Sequence, residues 1–465
     1  MLTAARAVNR IRSSLPVTMA ERGSLYNVMV RMGKHICTKV GLFRLSAFLL
    51  VFCGLLGGIT GGQFVRASRF ENSPPQKSPP AVFLLDARQL ERSRAAIKEG
   101  DKSFTPAWSR LEREAQKALS EGPFTIMSKG VTPPSGDKHD YMSQAPYFWP
   151  DPKKTNGLPY IRRDGERNPE INKITDHKSI DDLENAVEAL ALAYYFKGDE
   201  AYATKAAQLL RAFFLDPQTR MNPNLEYAQF IPGVNTGRGI GLIETRGFTR
   251  VVDAIGLLKG SKALTADDER NLKEWFGKFL QWMLDSKNGR EEAAAKNNHG
   301  TYYDVQVASF AMFVGRLDLA KQVLETAKQK RIAAQIEPDG RQPLELARTK
   351  AWSYSNGNLD GLMQLAILAG RAGVDLWNFQ TPDGRGIRRA LDFLTPVALG
   401  EKKWDYPEIG GGVKPETLFP LMRRAALVFK DKSYQTMMAR VPEVGSTDRV
   451  RLIHPDSITA KQAQR

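Results

Sequence analysis

The sequence predicts an all-α protein, an (α/α) toroid or incomplete barrel of paired helices carrying a long, loop-rich insertion towards its N-terminal side. Three observations point there. From Asp181 onward apolar residues recur at three- and four-residue spacing. The breaks between these stretches are short and rich in glycine or proline. Period-two runs of strand character are almost absent. Helices paired across short turns over roughly 300 residues form a ring around a cleft. The composition agrees: of 465 residues, 42% are hydrophobic and 25% charged, the balance of a folded chain with ample material for a core.

The first elements lie outside that body. Residues 1–66 carry nine Lys/Arg against Glu21 alone, or +8, and contain the uncharged run Leu45–Phe64 behind Lys34, Lys39 and Arg44. Basic-then-apolar order is that of an export signal or an N-terminal membrane anchor, so the expected location is periplasmic or secreted, with anchoring as the variant. Residues 67–82, with NSPPQKSPP, read as a proline-rich linker, 83–440 as the folded body and 441–465 as a tail. Both cysteines, Cys37 and Cys53, lie in the leader, so the body has no disulfide framework, cysteine zinc site or thiol nucleophile. The 399 residues after the leader hold 58 basic and 50 acidic side chains, a mild excess that suits an anionic substrate. No recognised nucleic-acid module accompanies it.

Within the body, Leu84–Ser120 reads as one or two leading helices and 122–178 as the insertion. Its stretches HDYMSQAPYFWPDP and GLPYIRRDGERNPE set Tyr141, Tyr147, Phe148, Trp149 and Tyr160 among prolines and Arg162, Arg163 and Arg167, aromatic faces and cations suited to an acidic sugar chain. DDLENAVEALALAYYFKGD is a helix ending at Gly198, and AYATKAAQLLRAFFLDP a second ending at Pro217. Further helices are expected at about 240–258, 266–285, 303–314, 316–334, 358–371, 385–398 and 415–430. Gly237-Arg238-Gly239-Ile240-Gly241 has no strand-to-helix context for a dinucleotide and reads as a helix entry. Near it, Asn235, Arg238, Glu244 and Arg246, with Tyr227 and Gln229 before them, are candidates to line the cleft. Metal, P-loop and serine-elbow motifs are missing, and five dispersed histidines propose no metal set.

Two stretches carry the chemistry. Lys296-Asn297-Asn298-His299-Gly300-Thr301-Tyr302-Tyr303-Asp304 puts amides and an imidazole at a helix entry, where free backbone N–H groups meet carboxylates. Leu344-Glu345-Leu346-Ala347-Arg348, followed by Trp352 and Tyr354, is the second. Together they resemble the alginate lyases of the α/α-toroid class, whose Asn-Asn-His motif precedes an Arg and a Tyr in a Leu-Glu-Leu-type segment. The resemblance spans roughly 85–430, making 83–440 a catalytic domain. Gly300-Thr301-Tyr302-Tyr303 departs from better-known members and marks a divergent branch.

That resemblance implies β-elimination on a 1,4-linked polyuronate, alginate or polymannuronate or glucuronan, with an acidic polysaccharide as partner and no cofactor. Removing the C5 proton builds charge on the neighbouring carboxylate, so preorganised donors must wait there. Asn298, His299 and Arg348 are the expected donors, and Tyr354 the proton carrier. If proton and leaving oxygen lie on one face, one phenol serves both; if on opposite faces, His299 is the base and Tyr354 the acid. Arg348 is expected to favour the phenolate. Tyr141, Tyr147, Trp149, Asn235, Arg238, Arg246, Tyr303 and Trp352 are the expected substrate-binding set, with Trp404 a further ring to stack on sugar. Two other readings stand beside this one: a uronate hydrolase using two of Asp181, Asp182 and Asp304, and a non-catalytic polysaccharide-binding module.

Overall fold

The computed structural model describes residues 79–441 and 448–455. The expected leader or anchor of 1–66, most of the linker and the end of the tail lie outside the described residues. No described helix is long and apolar enough to cross a membrane.

Two leading helices, α1 (Ala87–Lys98) and α2 (Thr105–Leu119), precede the insertion. The helical body then runs α3 (Asp176–Lys197), α4 (Glu200–Leu210), α5 (Phe248–Leu258), α6 (Ala266–Asp285), α7 (Lys287–Ala294), α8 (Asn298–Phe313), α9 (Leu317–Ala327), α10 (Pro343–Leu346), α11 (Ala351–Arg371), α12 (Ile387–Ala398), α13 (Phe419–Phe429), α14 (Lys432–Met438) and α15 (Val450–Ile453). Local chemistry explains several boundaries. Gly198 caps α3 in the left-handed conformation at φ 77. Asp199 accepts from the Ala201 N–H at the start of α4. Thr265 and Asp268 form a reciprocal capping box on α6.

The helices form an open toroid. α3, α5, α8 and α11 pack side by side in that order as the inner row. Outside them α2 and α4 flank α3; α6, α7 and α9 flank α8; and α12 and α13 flank α11. Burial follows the position in the ring. Every residue of α8 is buried except His299 and Tyr302, so a helix enclosed on all sides lies in the centre of the fold. Phe213, Phe214, Phe248, Trp275, Phe276, Phe279 and Phe310 fill the space behind it with mostly edge-on or tilted ring contacts.

Differences from expectation are local. The stretch before α5 is a 3₁₀ helix, Gly239–Thr245, and α9 ends in a π turn, Lys328–Ala333. The glycines of the Gly237–Gly241 entry are there for packing. A Cβ on Gly237 would sit 1.9 Å from the Glu226 carbonyl oxygen, and one on Gly241 2.5 Å from Ala228. α11 starts at Ala351 instead of 358, which places Tyr354 in its first turn. The insertion holds short strands too brief to show a period. β1 (Met142–Gln144) pairs in parallel with β4 (Tyr227–Phe230), and β2 (Phe148–Trp149) pairs antiparallel to β3 (Ile161–Arg162). Residues 448–455, expected in the tail, are packed: Leu452 is fully buried and its carbonyl accepts from Ser93 Oγ.

Candidate active site

The insertion, the start of α3, the 3₁₀ segment before α5 and the N-termini of α8 and α11 converge on one cleft of about 1030 Å³. Its floor is the entry to α8. The preceding turn is fixed by Arg331, 1% exposed, which holds Asp304 through two N–H groups and donates to the carbonyls of Ala293 and Ala295. Gly300 makes this possible, since a Cβ there would lie 2.2 Å from Arg331 Nη1. Asp304, one of the carboxylates considered for hydrolysis, is therefore a buried ion-pair partner under the site. Asp182 is committed to Lys178, and Asp181 alone of the three lines the cleft.

Asn297, not Asn298, is the N-cap of α8. Asn298 gives its backbone N–H and its Nδ2 to the two oxygens of Glu345 at 2.6 and 2.7 Å. Burial pushes the Glu345 carboxyl up against the pull of those two bonds. His299 Nδ1 lies 2.8 Å from Oε1 of the fully buried Glu292. A carboxylate oxygen accepts, so the ring carries its proton at Nδ1 and leaves Nε2 for the cleft that His299 lines.

Opposite, Arg348 lies with its guanidinium carbon 3.9 Å from the centre of the Tyr354 ring. Its Nε and Nη2 are both committed to Asp164, at 3.0 and 2.9 Å. Glu345 was the nearer acid in sequence, yet it holds Asn298. Tyr354 donates to the Tyr147 hydroxyl at 3.0 Å. Burial, then the Tyr147 contact, push the Tyr354 phenol well above its ordinary value, outweighing the Arg348 charge. The expected bias to phenolate is thus reversed: the resting group is a neutral phenol.

Of the expected binding residues, Tyr147, Arg238 and Arg246 line the cleft. Arg238 rests on the Phe148 ring and donates to Gln229, and burial lowers its pKa to about 10. Five others do not line it. Tyr141 is fully buried and donates to Glu244. Trp149 donates to the Glu166 carbonyl beneath Arg163. Asn235 accepts from Ile231 N–H within its own turn. Tyr303 is 5% exposed and bonded to the Met283 carbonyl. Trp352 is 1% exposed, its indole donating to the Lys414 carbonyl and Thr417, with Trp404 packed edge-on against it. Tyr141, Tyr303 and Trp352 serve packing because their polar tips are satisfied inside the protein. Asp164, Glu292 and Gln144 enter the site without a sequence signal. Asp164 lies 184 residues from Arg348, a separation no local pattern spans.

Comparison with known proteins fits this cleft. The family model described as alginate lyase matches residues 125–404, which defines the class: the chain is an enzyme, a polysaccharide lyase. A crystal structure of an alginate lyase from Bacteroides ovatus is 42% identical, covers 81% of this chain and all of its own, and superimposes with a TM-score of 0.79. The chain belongs to the alginate lyase family. Alginate lyase A1-III from Sphingomonas species A1 shares the fold at 15% identity and a TM-score of 0.51, over 81% of this chain and 98% of its own. A variant of that enzyme complexed with tetrasaccharide shares it at 16% identity and a TM-score of 0.54, over 83% and 99%. No curated protein sequence matches.

Proposed function

We propose that the enzyme cleaves a 1,4-linked polyuronate, with alginate rich in mannuronate as the first substrate to test, by β-elimination in this cleft. The observation that carries the reading is the pairing of a neutral phenol, Tyr354, with an imidazole, His299, whose Nδ1 is tied to a buried carboxylate. Asn298 stands at the α8 entry, where the Nδ2 hydrogen not used by Glu345 is the donor for the sugar carboxylate and stabilises the charge that grows on it as C5 loses its proton. Arg238 supplies a cation on the insertion side. Where the C5 proton and the glycosidic oxygen lie on opposite faces of the ring, as in guluronate, His299 Nε2 accepts the C5 proton and Tyr354 gives its own to the departing oxygen; where they lie on one face, as in mannuronate, the Tyr354 oxygen, its own proton passed to His299 Nε2, takes the C5 proton and returns it to the departing oxygen. Electron flow is closed: the C5–H pair forms the C4–C5 double bond, the C4–O bond breaks, and its oxygen is protonated by the phenol. Arg348, expected at the sugar acid, instead supports the Tyr354 ring.

The test is incubation of the purified protein with polymannuronate, glucuronan and mixed alginate while ultraviolet absorbance and reducing ends are followed. Growth of the conjugated unsaturated uronate with each new reducing end is the expected result. Reducing ends without the chromophore would mean hydrolysis, and binding without either would mean a non-catalytic module. The leader sequence supports export to the periplasm or beyond as part of the same proposal.

A further inference from the structure

The Arg162–Glu166 turn of the insertion is built against the start of α11. Asp164 takes Nε and Nη2 of Arg348, accepts from the Thr349 Oγ1 at 3.1 Å, and also receives Arg162 Nη2 at 2.7 Å. Gly165, at φ 77, lies so close that a Cβ would be 2.4 Å from Thr349 Oγ1. Both partners of the Asp164–Arg348 pair are largely shielded, with 21% and 16% of their side chains exposed. A two-bond carboxylate–guanidinium fork fixes the plane of the cation as well as its place. Here the guanidinium carbon lies over the Tyr354 ring, 3.9 Å from its centre.

We propose that Asp164 is a positioning residue of the elimination: it clamps Arg348 over Tyr354 and offsets its charge, so that this guanidinium orients the phenol instead of holding the sugar acid. The inference rests on the reading of Tyr354 as proton carrier. Its consequence is a sign that a merely structural bridge does not give. An arginine released from Asp164 in a cleft made for an anion binds that anion more tightly in the ground state, while the phenol loses its alignment. Uniform binding gained at the expense of transition-state geometry lowers KM and kcat together.

Asp164→Asn keeps the shape and one acceptor oxygen. In the Asp164→Asn enzyme, KM for polymannuronate falls several-fold and kcat falls about tenfold. In the Tyr354→Phe background, calorimetry with a mannuronate tetrasaccharide shows Asp164→Asn binding tighter and with a steeper salt dependence. Thr349→Val, which loses a contact to Asp164 but no charge, leaves affinity and salt dependence as they were. Weaker binding by Asp164→Asn, or a raised KM with kcat unchanged, overturns the proposal. Should that variant not fold, Asp164→Asn with Arg348→Gln removes both charges and leaves tetrasaccharide affinity within about twofold; a loss of tenfold or more overturns it. Calorimetry reads this clamp even if no unsaturated product is formed, so failure of the elimination reading is seen separately.

Discussion

Tyr354 and His299 are each defined by one neighbour, the half-buried Tyr147 and the buried Glu292. The phenol is kept protonated because it sits in a mostly dry wall beside Tyr147. Tyr354→Phe removes only the hydroxyl, leaving the Arg348 contact intact, so kcat falls by about 10³-fold or more while tetrasaccharide affinity, read by calorimetry, changes little. The imidazole depends on Glu292 for its tautomer and orientation. Glu292→Gln presents an amide in the same volume, which no longer favours N–H at Nδ1. Its kcat falls about 10–100-fold with Tm nearly unchanged, and a kcat equal to the parent enzyme's would remove His299 from the proton path. Neither partner was visible in the sequence. Glu292 lies only seven residues from His299, but on a separate helix whose direction spacing does not reveal.

At the scale of elements, the site depends on helix starts, because α8 and α11 both begin where the chain enters the cleft. Apolar periodicity starts α11 seven residues late, since Trp352, Ser353, Tyr354, Ser355, Asn356 and Gly357 present no simple apolar stripe. It gave no warning that α8 is buried on nearly every side. A helix away from the cleft offers a clean test of capping. Arg211 donates to both oxygens of Asp268 in the α6 capping box, holding that carboxyl at about 2 against an ordinary 3.8. Between those values the unfolded chain takes up the proton first, so the stabilisation is present above pH 4 and lost as the pH falls through 2. With Arg211 partly solvated, Asp268→Asn costs about 1–2 kcal/mol at pH 7, shown by the urea midpoint, and close to nothing at pH 2.

For the whole molecule, the net charge of +16 is divided equally between the leader and the remaining chain. The folded chain concentrates its share in the cleft. Arg162, Arg167, Lys178, Arg238, Arg246 and Arg348 line the cleft against Asp181 and Glu244. Focused positive potential raises the local concentration of an anionic polymer and is screened by salt. KM for a polyuronate therefore rises with ionic strength between about 0.05 and 0.5 M while kcat holds nearly steady, measured by initial rates in sodium chloride. A KM indifferent to salt would place substrate recognition on sugar hydroxyls and apolar faces instead.

The all-α class, most helices, the loop-rich insertion and the two motifs that supply Asn298, His299, Arg348 and Tyr354 are legible in the residues alone. These are consequences of local propensity, apolar spacing and contiguous residue patterns. Which aromatic residues face the cleft, why the GRGIG glycines are needed and which acids serve the site follow from long-range packing. Tyr303 and Trp352 look like sugar platforms in sequence, but packing hides them and bonds their polar tips. Asp164 and Glu345 exchange the partners that proximity in the chain suggests, because a carboxylate's partner is chosen by the distance and direction that the folded helices impose.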